Sequence, residues 1–281
     1  MIIWLASYPK SGNTWLRSLI STYFYTDDGN FNFGLLKFID QFPSVAYFEK
    51  YHDDFSSPES TAKYWLAQQD MINKDNKLRF FKTHNAMCRI NNFRFTDASK
   101  TQGAIHIVRD PRNIISSLSH HYQIEIKEAL SFMKNEKKAL VEKKDGRFLG
   151  FVPIFSWKLH QKSWSECKGF PVLTIRYEDL QSETLITFKK VFEFIQSISN
   201  LKIHFDEEKA KKTIKSCEFE KLQKLEIEQG FKESMTKKNS KEKIRFFNLG
   251  KENNYKKLVD SQIISEMNFL YKDQLRKYNY D

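Results

Sequence analysis

Ser7-Tyr8-Pro9-Lys10-Ser11-Gly12-Asn13-Thr14-Trp15 lies between an apolar run, Ile2 to Ala6, and a stretch in which Trp15, Leu16, Leu19, Ile20 and Tyr23 recur at helical spacing. The pattern predicts a buried strand, a tight turn and a helix. A turn at a helix start aims several unpaired N–H groups at one spot, and the positive end of the helix dipole reinforces them. Gly12 lets the backbone approach closely and Lys10 adds a full charge. Such a turn can cradle phosphate or another polyvalent anion. The bland alternative is a glycine-containing turn with no ligand.

The turn departs from the nucleoside-triphosphate loop G-x-x-x-x-G-K-[ST]. Lys10 precedes Gly12, and Ala6 or Ser7 stands where the earlier glycine would be. The pattern therefore suggests phosphate binding without obligatory magnesium.

A second segment repeats the logic. Gly103 to Val108 is strand-like, Arg109-Asp110-Pro111-Arg112-Asn113 follows, and Ile114, Ile115, Leu118 and Tyr122 recur at helical spacing. Pro111 suits a first helical turn and Asp110 can cap it. Arg109 is thus delivered to a second helix start, with Ser116 and Ser117 about two turns further on. Alone, Arg109 reads as a strand-end arginine paired with an acid. Two anion-ready turns in one chain favour a shared ligand.

These residues resemble a sulfotransferase that uses 3′-phosphoadenosine 5′-phosphosulfate (PAPS). Tyr8 to Trp15 is similar to the family's 5′-phosphosulfate loop Y-P-K-S-G-T-T-W, and Val108 through Ser117 to its 3′-phosphate motif. Phe81-Lys82-Thr83-His84 resembles the K-T-H that carries the catalytic base. Phe155 to Trp164 resembles the S-W-x-x-H-x-x-S-W helix, and Val172 to Leu180 the strand ending in Y-E-D. Cys217 to Leu222 resembles a segment that helps cover the adenine. Asn248 through Tyr255 occupies the place of the lid R-K-G-x-x-G-D-W. Gly250 and Tyr255 keep that pattern, but Asn248 and Leu249 replace its Arg and Lys, with Arg245 and Lys251 as substitutes nearby.

The resemblance implies the following roles. His84 is the base, Lys10 and Lys82 stabilise the bridging oxygen, and Ser117 senses the 3′-phosphate and restrains Lys10. Lys10, Ser11, Gly12, Asn13, Thr14, Trp15, Arg109, Ser117, Tyr177, Cys217, Leu222, Asn248, Leu249 and Gly250 hold the nucleotide. Trp15 stacks on adenine for about 1–3 kcal/mol. The product is adenosine 3′,5′-bisphosphate (PAP), and no metal is required. Lys257 and Glu266 keep the outer charges of the family's dimer segment K-x-x-x-T-V-x-x-x-E, while Ser261 and Gln262 replace its centre, which leaves a homodimer open.

The rest of the chain agrees. At 281 residues it can bury a sizeable core as one domain. A net charge of +11 favours a polyanionic partner. No nucleic-acid motif accompanies the basic stretches Lys127–Arg147 and Lys209–Arg245, which read as solvated helix faces or a lid. Cys88, Cys167 and Cys217 are scattered, the pattern of reduced thiols in a cytoplasmic setting. Met1 runs almost directly into the first strand, no apolar stretch is long enough to span a membrane, and His52, His120 and His121 lack companions at metal-ligand spacing.

Strand candidates Ile2–Ala6, Arg79–Thr83, Ala104–Arg109 and Val172–Arg176 alternate with helical patterns, the last over 261–277. The expected fold is α/β: a single domain over 1–281 with a central parallel sheet flanked by helices and a P-loop-like phosphate-binding core. Residues 1–25 and 79–200 form its core, 26–78 an acceptor-pocket insertion whose many aromatics read equally well as core, and 230–260 a lid. Residues 148–155 are expected beside the same pocket. Lys10, His84, Arg109 and Tyr177 fall just past strand ends, where ligands of such sheets bind.

The expected reaction moves a sulfuryl group from PAPS to a hydroxyl or amine of a small-molecule, lipid or carbohydrate acceptor. Two other classes stand beside it. A phosphate-loop kinase is disfavoured by the displaced Lys10. A non-catalytic nucleotide-binding relative is supported only by the altered lid.

Overall fold

The computed structural model describes residues 1–199, 201–237 and 240–281. Residue 200, at the end of the expected core, and 238–239 of the expected lid lie outside the described residues. The sequence motif at the N-terminus becomes strand β1 (Ile2–Ser7), fully buried along its length, then a turn, then helix α1 (Asn13–Tyr25). In chain order there follow β2 (Asp40–Gln41), α2 (Trp65–Asn73), β3 (Arg79–Thr83), a small hairpin of β4 (Arg89–Ile90) and β5 (Phe93–Arg94), and β6 (Thr101–Val108). Next come α3 (Pro111–Tyr122), α4 (Ile126–Lys134), a ribbon of β7 (Ala139–Lys144) and β8 (Arg147–Pro153), α5 (Trp157–Ser165), β9 (Val172–Arg176) and α6 (Tyr177–Ser182). The chain ends with α7 (Thr184–Ile198), α8 (Glu207–Ser216), α9 (Phe219–Gln229), α10 (Tyr255–Leu258), α11 (Ser261–Leu270) and α12 (Lys272–Lys277).

Five strands form one parallel sheet in the order β2-β3-β1-β6-β9. A parallel sheet covered on both faces needs strands apolar on both sides, which is why Ile2-Ile3-Trp4-Leu5-Ala6 is uninterrupted. Ile3 and Leu5 pack with Leu16 and Leu19 of α1 and with Phe188 and Phe192 of α7. Ile2 and Trp4 face the other way, onto Phe42, Trp65, Phe95 and Trp164. Trp4 satisfies its indole N–H by donating to Thr101 Oγ1 at 2.8 Å, so its burial carries no polar penalty. Truncating such a residue to alanine costs about 3–5 kcal/mol. A third apolar cluster joins Ile114 and Leu118 of α3 to Met133, Met267 and Leu275.

Two local readings change. The basic run Lys127–Arg147 is not helical throughout: after α4 it becomes the antiparallel β7–β8 ribbon turning at Asp145-Gly146, both with positive φ. The pattern over 261–277 breaks at Tyr271 into α11 and α12. Of the aromatics of 26–78, Phe42, Phe48, Phe55 and Trp65 are completely buried and take the core role, Tyr47, Tyr51 and Tyr64 are half-buried, and Phe38 is exposed. Among the described residues, no helix is long and apolar enough to cross a membrane.

Candidate active site

All four chemistry-bearing turns leave the same edge of the sheet. β1 runs into Lys10, β3 into His84, β6 into Arg109 and β9 into Tyr177. Because the strands are parallel and adjacent, these side chains meet around one cavity of about 470 Å³. Every residue given a catalytic or nucleotide-holding role from the sequence lines it except Ser11 and Cys217.

The Lys10 turn owes its shape to two left-handed residues, Lys10 at φ 66° and Gly12 at φ 95°. A Cβ on Gly12 would lie 2.4 Å from Tyr177 Cδ2, so the glycine answers both a backbone and a packing demand. The N–H groups of Asn13 and Thr14 open α1 and have no acceptor among the described residues. The Ser11 hydroxyl is buried beside them without a partner. Orphaned donors at a helix start are what an anionic ligand satisfies. The Asn13 side chain is used internally, donating to Leu5 O at 2.8 Å and Ser7 Oγ at 3.1 Å, which pins the turn to its strand.

Arg109 is nearly buried at 8% exposure. Its Nη1 donates to Lys10 O at 3.0 Å, and its guanidinium stacks 4.1 Å from the Tyr177 ring centre. Arg109 Nε has no partner among the described residues. Arg112, by contrast, is structural: it pairs with Asp110 at 2.7 Å and stacks on Tyr255.

Lys10 Nζ sits 3.9 Å above the Phe246 ring. Burial, then the charges of Arg109 and Lys82, push its pKa down to about 7. Lys82, 4% exposed, bonds Glu233 Oε2 at 2.7 Å. His84 Nδ1 is 2.8 Å from the Ser7 carbonyl. A carbonyl only accepts, so Nδ1 carries the proton and Nε2 keeps its lone pair. Burial first, and the Lys82 charge second, push His84 down to about 3.

The sequence reading named two residues whose side chains stand elsewhere. Cys217 is completely buried with its thiol against Thr22 Oγ1, and only its carbonyl serves the site, accepting from Trp15 Nε1 at 3.0 Å. The expectation that Cys217 lines the nucleotide pocket is corrected accordingly: its side chain faces the core. Ser11 lies beneath the turn rather than on the cavity wall. Of residues 26–78 only Gln41 reaches the lining, and of 148–155 none does.

The lid closes through contacts the motifs did not disclose. The buried Glu226 carboxylate on α9 accepts from Ser234 Oγ at 2.6 Å and from the N–H groups of Phe246 at 2.6 Å and Phe247 at 2.9 Å. It thereby ties two limbs of the lid together. Asn253 donates to Ser117 Oγ and Asn113 O, each at 2.9 Å, and accepts from Ser116 Oγ at 2.6 Å. Asn248, Leu249 and Gly250 line the cavity, as does Lys251, whereas Arg245 does not. Glu233 takes Lys82, Arg17 Nη1 at 2.6 Å and Thr14 Oγ1 at 3.4 Å. Only a three-dimensional fold discloses these partners, because Glu233 lies far from all of them in sequence.

The start of α3 is not a second open cradle: Pro111 has no N–H, and the N–H groups of Arg112 and Asn113 are taken by Asp110, so β6 brings the Arg109 side chain to the site instead. A parallel α/β sheet with one helix-start anion cradle and a strand-end arginine at the same ends of its strands has the form of α/β proteins that bind ligands there. Residues 2–279 match the family model "Sulfotransferase domain", and the chain belongs to that family. It is 25% identical over 235 residues to cytosolic sulfotransferase 12 of Arabidopsis thaliana, covering 79% of this chain and 63% of that protein. It is 22% identical over 201 residues to an amine sulfotransferase of Oryctolagus cuniculus, covering 69% of this chain and 56% of that protein. The match thus spans less than two thirds of either relative. A crystal structure of a mouse sulfotransferase complexed with PAP superposes with a TM-score of 0.60 at 19% identity, over 99% of this chain and 84% of that one. That likeness confirms the fold.

Proposed function

We propose that this protein is a PAPS-dependent sulfotransferase, and that Lys10 and Arg109 grip the two phosphate ends of one nucleotide. The observation that carries the reading is that both side chains line a single cavity and are joined through the Lys10 carbonyl. The Arg109 Nε, unpartnered among the described residues, and the unpaired N–H groups at the start of α1 fit a polyanion. Lys10 and Lys82 supply the positive charge that a metal supplies elsewhere, so the reading includes no metal.

PAPS provides an activated sulfur with PAP as leaving group. Lys10 and Lys82 stand ready to stabilise charge on the bridging oxygen as its bond to sulfur breaks. Turn and lid hold the reactants in line. His84 Nε2 removes the acceptor proton as the acceptor oxygen or nitrogen bonds to sulfur. The electron pair of the broken S–O bond leaves with PAP, and His84 returns its proton to solvent. A histidine pushed down to about 3 is neutral but weakly basic. Anions brought in with the donor oppose the Lys82 charge and raise it toward a useful range.

The acceptor is a small molecule, lipid or carbohydrate bearing a hydroxyl or amine. The amine class draws support from the rabbit relative's name, and a cytoplasmic setting from the Arabidopsis relative's. Trp15, edge-on to Tyr177 at 5.9 Å, and Leu222 are assigned to the adenine side.

A thermal-shift comparison tests this reading. PAP without added metal raises the melting temperature, and ATP does so weakly. An acceptor screen with labelled donor then shows transfer that His84→Ala abolishes while PAP binding persists. Absence of any PAP shift, or near-normal turnover in His84→Ala, overturns the corresponding part.

A further inference from the structure

Glu233 is the carboxylate that meets the cations of the transfer site. Lys82, Arg17 and Thr14 all direct donors at it, and the two ion pairs are nearly dry on the cationic side, with Lys82 and Arg17 side chains 6% and 8% exposed. It is held there, since Glu226 fixes the neighbouring Ser234. Arg17 is braced in turn, donating to Leu36 O at 2.6 Å.

We infer that Glu233 is a positioning residue with two opposed effects: it fixes Lys82 for catalysis, and it competes with the sulfuryl oxygens of the donor for the same N–H groups. The inference rests on the sulfotransferase reading of the cavity.

A carboxylate and a sulfuryl group offer similar oxygens to an ammonium. Lys82 has three protons, so Glu233 can retain one while others turn to the ligand. Its charge also keeps Lys82 cationic. Burial lowers the Lys82 pKa, Glu233 raises it and Arg17 lowers it. Lys10 from the β1 turn, His84 just past the end of β3 and His121 on α3 complete the titratable surroundings. The donor therefore enters a site whose cations are already part-neutralised, which costs affinity and preserves the geometry of Lys82.

The test is Glu233→Gln, isosteric and uncharged, with PAPS and PAP binding measured by calorimetry without acceptor. Turnover of labelled PAPS is measured alongside, with water as acceptor where no better one is supplied. The expected result is PAPS binding tighter by about tenfold, PAP binding changed by less than about threefold, and turnover lower by about tenfold or more. A structural role alone would weaken both ligands together. PAPS affinity equal to or below wild type, or unchanged turnover, overturns the inference. Should Glu233→Gln not fold, Glu233→Asp decides. Its shorter carboxylate keeps the charge, so the PAPS-to-PAP affinity ratio stays near wild type while turnover falls, and unchanged turnover overturns the inference. Wild-type protein that binds no PAP would instead remove the underlying sulfotransferase reading, so the two failures are distinct.

Discussion

Arg109 donates through Nη1 to the main-chain carbonyl of Lys10 at 3.0 Å and lies flat against Tyr177, leaving its buried Nε without a partner among the described residues. One edge of the guanidinium is thus spent on holding the first anion turn while another remains for a ligand. Arg109→Met removes a charged hydrogen-bond donor worth about 1.5–3 kcal/mol, so the Kd for PAP rises by about ten- to a hundredfold. Calorimetry with PAP and with adenosine 5′-phosphate separates the effects: the loss is larger for PAP. Equal losses would place Arg109 away from the 3′-phosphate.

Gly12 couples the same turn to Tyr177 from the other side. Alanine there must adopt φ near 95° and place its Cβ against the Tyr177 ring. Gly12→Ala is expected to cost about 1–3 kcal/mol of stability and to weaken nucleotide binding as Tyr177 is displaced. Gly12→Ala/Tyr177→Ala recovers part of the stability, since the clash is relieved while the φ strain stays. Melting temperatures of the single and double variants check this.

Lys10, pushed down to about 7 by burial and by Arg109 and Lys82, loses its charge within the physiological range in the free protein. Glu233 and Glu226 oppose that shift without cancelling it. Binding of PAP should therefore weaken as pH rises through about 7. Lys10→Arg keeps a cation at all working pH values, and its binding curve should lose that inflection. A wild-type affinity flat from pH 6 to 9 would contradict this.

The half-buried His84 and His121 and the completely buried His160 make the fold acid-sensitive. His84, His121 and His160 are each pushed down to about 3, with burial the leading cause. Their folded pKa values lie below the unfolded value near 6.5, so the unfolded chain binds more protons between those limits. Stability is intact above about 6.5 and falls as pH drops through that window, by about 1 kcal/mol per histidine at pH 6. Melting temperature should decline steadily from pH 7 to pH 5, and His121→Gln should flatten the decline. A melting temperature independent of pH there would show the histidines to be solvated.

The sheet and its ligand edge were legible because parallel strands announce themselves. Ile2–Ala6 is apolar on both faces, as is Ala104–Val108 but for the buried His106, and the polar residue that follows each is forced to the strand end. Arg79–Thr83 and Val172–Arg176 were placed at their observed bounds. The β7–β8 ribbon was not legible, because exposed Glu142, Lys143 and Lys144 carry no alternation to mark a strand. Cys217 was misplaced for a related reason: a motif identifies the segment, but only packing decides whether thiol or carbonyl turns inward. Glu226, Glu233 and Asn253 stand in polar stretches where one carboxylate or amide looks like its neighbours until the lid is folded.

Asn253 supplies the last test. Its amide spends both protons, on Asn113 O and Ser117 Oγ, and its carbonyl takes the Ser116 hydroxyl. Ser117 is therefore an acceptor toward the lid, which leaves its own proton free to donate into the cavity. With Asn248 and Leu249 offering no cation, this arrangement makes a neutral donor out of Ser117 where the 3′-phosphate is assigned. Asn253→Ala lets the Ser117 hydroxyl rotate and frees the lid from α3. The Kd for PAP should rise by about five- to tenfold, in line with one hydrogen bond of about 1 kcal/mol, whereas adenosine 5′-phosphate, lacking the group that Ser117 would meet, should bind as before. A parallel loss for both nucleotides would mean that Asn253 only closes the lid, and that the 3′-phosphate is held elsewhere.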